Sequence, residues 1–304
     1  MRILYIGGAG RSGSTLIELI LGNMPGFFSV GEIRYFWEYV LEEDLSCGCG
    51  EIITSCTFWS KVLREILSHE QIDIQKVAAT AQDIDRTRNV LRQMYTKSRP
   101  DQELSSFVKA TERLYEAIAL NIDDAIIVDS SKVPSHLFVL ANFKKVDLRV
   151  IHLVRDPRAV VYSWGKRKKK ELADLSGKTY MSQRSISQSI VRWAIENQFT
   201  EWFGRKAGRY TLLRYEDFVK DPYTHLLSTL NNVGLGENPP SLLKSGELTL
   251  TPTHSIGGNP IRFVSNTIRI VPDETWRKGL NPLTQAFISM VLSPWMIRYH
   301  YLSS

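Results

Sequence analysis

Apolar residues follow one another along this chain in two rhythms. Short, nearly continuous apolar runs occur at Arg2–Ile6, Ala125–Val128, Leu148–Val154 and Arg209–Leu213. Such runs, bounded by glycine or polar residues, predict strands covered on both faces. Elsewhere apolar positions recur every three or four residues, which predicts helices. They fall from Ser14, over Phe58–Leu67, from Ile74 to Lys97, over Leu104–Ile122, and from Pro134 and Pro157. Further helices are expected over Gln183–Phe203, Pro222–Val233 and Pro282–Met296. The alternation implies an α/β fold with a central parallel sheet. The helices of about 58–122 read as an insertion over that sheet, where walls that select a ligand are often placed.

The first strand runs straight into a glycine-rich turn. Gly7, Gly8, Gly10 and Gly13 let the backbone curl before the helix from Ser14. A loop that opens a helix points unpaired N–H groups at one spot, with the helix dipole behind them, and so suits an anion. Gly8 and Gly13 match the spacing of a nucleotide-binding P-loop, but Ser14 and Thr15 stand where that motif has Lys and Ser/Thr. Arg11 supplies a cation earlier in the loop, as a planar fork suited to an oxyanion. The expected fold is thus a P-loop-type three-layer sandwich that holds a phosphate without the usual lysine.

Chemistry-bearing residues follow the other extended segments. Glu32 lies after the short extended piece at Pro25–Gly31, before Tyr35, Phe36 and Trp37. A carboxylate in an aromatic setting can serve as a general base, and Tyr35 and Trp37 could form an acceptor wall. Asp129 ends the second strand as an acidic residue would in a magnesium-dependent ATPase. Lys132 comes three residues later, placed to neutralise charge on a transferring group. Arg155 leaves the third strand and Ser163 follows two helical turns on, a pair able to clamp a second phosphate. Two oxyanion sites on one sheet imply a ligand with two separated acidic groups.

The cysteines are Cys47, Cys49 and Cys56. Structural zinc takes four ligands, and the nearest histidine along the chain is His69. With no clear fourth ligand, a local disulfide or buried reduced thiols are expected, and no metal. His254, in a Gly/Pro/Asn-rich loop at Thr253–Phe263, titrates near neutrality and is a second base candidate.

Charge and length change this picture little. The chain has 304 residues, 43% hydrophobic content and a formal charge of +6. These fit one large globular unit, residues 1–304, with a preference for anionic ligands. Lys166–Lys170 is an unbroken basic run without the interleaved aromatics that stack on bases. The surrounding 165–185 segment reads as a mobile lid, and no nucleic-acid partner is expected. No leader or membrane span is read, so the expected location is the cytoplasm.

The motifs GRSGSTL, VDSSK, HLVRDPRAVVYSW and LLRYEDFVKDP, in this order, resemble the sulfotransferase family. Their style is that of tyrosylprotein sulfotransferases and of the bacterial and cyanobacterial enzymes acting on small molecules and carrier-bound intermediates. The resemblance implies 3′-phosphoadenosine 5′-phosphosulfate (PAPS) as donor, with 3′,5′-adenosine bisphosphate (PAP) as product. It implies that Arg11, Ser12, Gly13, Ser14 and Thr15 hold the 5′-phosphosulfate. Arg155 and Ser163 would hold the 3′-phosphate, Tyr215 the adenine, and Arg262 would close that site. Glu32 aligns with the base of the tyrosylprotein enzymes and Lys132 with a lysine near the sulfuryl group. A small-molecule acceptor, free or carrier-bound and of secondary-metabolism type, is expected; the oligomeric state is unread. A magnesium-dependent kinase and a non-catalytic anion- or nucleic-acid-binding module are the alternatives.

Overall fold

The computed structural model describes residues 1–41, 46–68, 72–84, 102–166 and 183–302. Strands β1 (Arg2–Gly7), β2 (Phe27–Gly31), β3 (Ile126–Lys132), β4 (Asp147–Val154) and β5 (Arg209–Arg214) form one sheet. Their order is β2-β3-β1-β4-β5, and every pairing is parallel. Helices cover both faces, so the expected α/β architecture holds. Along β1 the faces alternate: Ile3 and Tyr5 enter the core under the insertion, while Leu4 and Ile6 enter the core under α1 (Ser14–Gly22). This two-sided burial explains why the strands read as continuous apolar runs.

Several boundaries differ from the sequence reading for physical reasons. The extended piece after Pro25 is one of the two edge strands of the sheet. Strand β3 runs on through Asp129, Ser130 and Ser131, because each polar side chain there has a hydrogen-bond partner. The expected last helix is two, Pro282–Val291 and Ser293–Arg298. Pro294 cannot continue the first and suits the opening turn of the second. The helix Ile186–Ala207 begins at a capping box, with Ser185 and Gln188 exchanging side-chain and backbone bonds.

Between β2 and β3 the insertion contributes helices Trp59–Leu67, Ile74–Ile84 and Gln102–Ala119. The rest of the expected 74–97 helix lies outside the described residues, as do positions 167–182 of the expected lid. Late in the chain, β6 (Glu247–Thr249) pairs antiparallel with β7 (Thr267–Arg269). The loop between them folds back along the sheet edge, where Gly31 and Ile256 form an isolated parallel bridge. Among the described residues no helix is long and apolar enough to cross a membrane.

Candidate active site

The carboxyl ends of the five strands face one region, and each delivers one candidate. After β1 comes the loop through Gly13; after β2, Glu32; at the end of β3, Lys132; after β4, Arg155; after β5, Tyr215. In a parallel sheet whose connections leave β1 in both directions, this edge is where a ligand-binding crevice forms.

The loop is built for close approach. Gly13 is the N-cap of α1 with φ 93°, and a Cβ there would lie 2.6 Å from the Tyr215 ring. Only glycine both turns the chain into the helix and lets Tyr215 lie against the loop. Arg11 also has a positive φ, 72°, and its guanidinium lies over the Trp164 ring at 4.7 Å. Ser12, Ser14 and Thr15 are buried. The Ser12 hydroxyl oxygen has no hydrogen-bond partner among the described residues. The Gly10 N–H donates to Glu196 Oε2 at 3.1 Å, which ties the loop to the helix Ile186–Ala207.

Glu32 and Lys132 form an ion pair between Oε1 and Nζ, with both side chains about one-seventh exposed, 13% and 15%. Lys132 is a second residue held at positive φ, 71°, and its carbonyl accepts the Gly8 N–H at 3.1 Å. The strained turn thus binds the lysine backbone to the anion loop while its ammonium reaches the carboxylate. Glu32 is fixed from behind by its own N–H, which donates to the Ile256 carbonyl at 2.6 Å. Burial pulls the Arg11 guanidinium below its ordinary range, opposed by the charge of Glu32. Beneath the pair, Glu18 accepts hydrogen bonds from Ser29 and Ser130. Burial pushes its carboxyl up, outweighing those bonds and the nearby Lys132.

On the other side of the loop, Arg155 donates from Nη1 to the Arg11 carbonyl at 3.2 Å and from Nη2 to Asp273 Oδ2 at 3.1 Å. Its guanidinium lies over the Tyr215 ring at 4.4 Å. Burial raises the Tyr215 phenol. A cleft of about 210 Å³ opens beside Tyr215, lined also by Arg158, Arg214, Asp273 and Trp276. Ser163 is buried in the helix Pro157–Gly165 that follows Arg155.

Three expected residues go elsewhere. Trp37 is 1% exposed and packs edge-on against Phe36 in the core, so it is no acceptor wall. His254 is turned to the cysteines, its Nδ1 3.2 Å from Cys56 Sγ and 3.7 Å from Cys47 Sγ. Arg262 is buried and donates to the carbonyls of Ser46, Ser255 and Gly257, so it organises the late loop. Tyr35 stays beside the site: Arg34 covers its ring at 4.0 Å, and Gly257 lies against it. The cysteines are free thiols, not disulfides, and they do have a fourth neighbour, supplied by His254 from 198 residues beyond Cys56.

Asp129 is also accounted for. It accepts from the Tyr115 hydroxyl at 2.6 Å and the Ser131 N–H at 2.8 Å, and it sits 3.3 Å from His136 Nε2. Buried in that network, it is spent on the core and not aimed at a magnesium site. The sequence reading does not single out Trp164 or Arg184, whose guanidinium lies over the Trp164 ring at 3.7 Å. Trp164 directly follows Ser163, so its aromatic ring was the available signal. Glu18 gave none, since an acid in an apolar helix reads as exposed.

The parallel sheet and the loop at its carboxyl edge define the class, an α/β protein with a glycine-rich turn that opens its first helix. A model of the sulfotransferase family matches residues 4–236, and the chain belongs to that family. Carbohydrate sulfotransferase 5 of Mus musculus is 31% identical over 115 residues, 34% of this chain. The match spans only 29% of that relative's length. A sulfotransferase domain from the curacin biosynthetic pathway is 21% identical with a TM-score of 0.53, over 96% of this chain and 97% of that one. It shares the fold. The sulfotransferase domain of the Synechococcus PCC 7002 olefin synthase is 18% identical over 96% of this chain and 94% of that one, with a TM-score of 0.47.

Proposed function

We propose that the enzyme takes its sulfuryl group from PAPS and delivers it to a hydroxyl or amine of a small-molecule acceptor, free or carrier-bound. The mostly buried Glu32–Lys132 pair, set beside an anion loop, is the observation that carries this reading. The residues present fit the donor. Ser12 offers a buried hydroxyl without a partner among the described residues, and Gly13 opens the helix where a Cβ would run into the Tyr215 ring. Arg155 and Ser163 would hold the 3′-phosphate, with Tyr215 beside the adenine. Arg155 would exchange its contact with Asp273, which is half exposed, for the phosphate.

When bound, PAPS supplies a sulfuryl group attached to a phosphate leaving group. The protein's own part is electrostatic and positional. Glu32 takes the proton from the acceptor hydroxyl or amine as that group becomes nucleophilic. Lys132 orients the carboxylate in the resting site and adds positive charge where the transferring oxygens gather it. Arg11 and the N–H groups opening α1 stabilise negative charge on the opposite side. Tyr35, which lies against the same Gly257 as Glu32, would meet the acceptor.

The kinase alternative loses its metal ligand, because Asp129 is bound to Tyr115 and Ser131. The test is transfer of label from ³⁵S-PAPS to fractionated metabolites. The expected result is a labelled small molecule, with Glu32→Gln slowed about 10²–10⁴-fold. Unchanged turnover in Glu32→Gln would remove the base assignment, and phosphoryl transfer from ATP with magnesium would remove the whole reading.

A further inference from the structure

The geometry points to a structural zinc site formed by Cys47, Cys49, Cys56 and His254, which fastens the late loop to the segment 46–56. This inference does not depend on which donor or acceptor the enzyme uses. The four ligand atoms all lie within 4.8 Å of one another. Three edges of the cluster measure 3.7 Å: Cys49–Cys56, Cys56–Cys47 and Cys47 Sγ–His254 Nδ1. A further edge, Cys56 Sγ–His254 Nδ1, is 3.2 Å, and the remaining two of the six lie within 4.8 Å. A tetrahedral zinc with Zn–S bonds of about 2.3 Å sets its sulfurs about 3.8 Å apart, so the donors already stand at nearly coordinating separations. A disulfide would need about 2.05 Å, and three thiols cannot all pair with one another. Thiolate-rich tetrahedral sets select zinc over hard cations.

The surroundings hold this arrangement from several directions. Segment 46–52 is a tight turn: Ser46 bridges Ile52, and the Cys47 N–H donates to the Glu51 carbonyl at 2.8 Å. Gly48 lies so close to the late loop that a Cβ would meet the Thr253 carbonyl oxygen at 2.5 Å, and its N–H donates to the Ser255 carbonyl at 2.9 Å. Glycine between the first two cysteines is therefore what brings His254 within reach. The His254 ring is stacked on Phe58 at 5.4 Å, and its backbone carbonyl accepts the Trp59 indole N–H at 2.7 Å. Backbone N–H groups aim at the sulfurs too: Cys49 toward Cys47, and Phe58 and Trp59 toward Cys56. Burial outweighs these amides and raises the Cys47 and Cys56 thiols, so the charge that would hold the thiolate form has to come from the bound cation.

Coordination is balanced simply. Each thiol releases its proton to solvent, neutral imidazole binds through Nδ1, and three thiolates with Zn²⁺ leave one negative charge in the site. The staple bears on the active site through one short path. The loop that carries His254 also carries Ile256, whose carbonyl holds the Glu32 N–H. It also carries Gly257, which lies against Glu32 and Tyr35.

The test is metal content of the full chain, purified without chelator from zinc-supplemented medium. Wild type should carry close to one zinc per chain, released by a mercurial thiol reagent. Cobalt(II) loading should give the intense visible bands of a tetrahedral site and a sulfur-to-cobalt charge-transfer band. Cys49→Ser, at the least buried of the three thiols, should lose both signals, and so should His254→Ala. Wild type holding no more zinc than these variants would overturn the inference. So would weak octahedral cobalt bands, or the absorption of an iron–sulfur cluster. Because the decisive readouts are made on wild type, a variant that fails to fold leaves the test intact. Loss of zinc binding with sulfate transfer retained would overturn the path to Glu32, while zinc present without any sulfate transfer would strike only the reading of function.

Discussion

Two loops wall the same site and are made by opposite means. The loop after β1 is local: its turn, its glycines and the helix it opens are consecutive in the chain. The loop around Ile256 is assembled from afar. Arg262 reaches the Ser46 carbonyl, Trp59 holds the His254 carbonyl, and Gly31 bridges Ile256. The first needs only its own backbone to present an anion cradle. The second has no regular structure beyond the 3₁₀ turn Pro260–Phe263 and stands only because other segments grip it. Glu32 and Lys132 lie where the two meet. Lys132 is bonded through its carbonyl to the first loop and Glu32 through its N–H to the second.

That meeting point should show the largest effect. Lys132→Ala removes both the partner of Glu32 and the cation we propose to face the transferring group, and should lower kcat about 10²–10³-fold, read by single-turnover sulfate transfer. If kcat holds while KM alone rises, the lysine belongs to binding and not to the chemical step.

Acid should separate the loops from the scaffold beneath them. His152 is buried in β4, between the Tyr210 hydroxyl at 2.8 Å and Asn197 Oδ1 at 3.0 Å, and burial pushes its pKa down to about 4. The unfolded chain takes up this proton near pH 6.5 and the folded one only near pH 4, so stability falls as pH drops through that window. The loss should approach about 3 kcal/mol by denaturant unfolding at pH 4 against pH 7. Since the sheet carries both loops, probes on each should lose signal together. Separate transitions would show that the late loop unfolds on its own.

Arg155→Ala should weaken PAP about 10–100-fold, since a hydrogen bond to a charged group is worth about 1.5–3 kcal/mol, with little change in ATP binding. Arg262→Ala is expected to act differently. It strands carbonyls of Ser46, Ser255 and Gly257, costing about 1–3 kcal/mol in stability, with the damage centred on the late loop and Glu32 and not on PAP affinity. An equal loss of PAP affinity in both variants would erase the distinction between the loops.

The same contrast explains what the sequence made legible. The strand–glycine–helix unit, and the positions of Glu32, Lys132, Arg155 and Tyr215 just past strand ends, could be read because each lies within a few residues of the element that aims it. The contacts of His254 and Arg262 are not legible in the sequence because their partners, Cys56 and Ser46, are about two hundred residues away, and no periodicity encodes that closure. Trp37 was misread because an aromatic beside a site motif looks the same whether it faces ligand or core. Asp129 looked like a metal ligand until Tyr115, from the insertion, was seen to claim it.

The central claim is a donor site with two separate phosphate positions joined across the β1 loop. Calorimetric titration of the wild-type chain with PAP, set against ATP with magnesium, tests it most directly. The account predicts saturable one-to-one binding of PAP that needs no magnesium and falls sharply in Arg155→Ala, with ATP bound far more weakly. Tight magnesium-dependent binding of ATP, with PAP indifferent to the loss of Arg155, would contradict it.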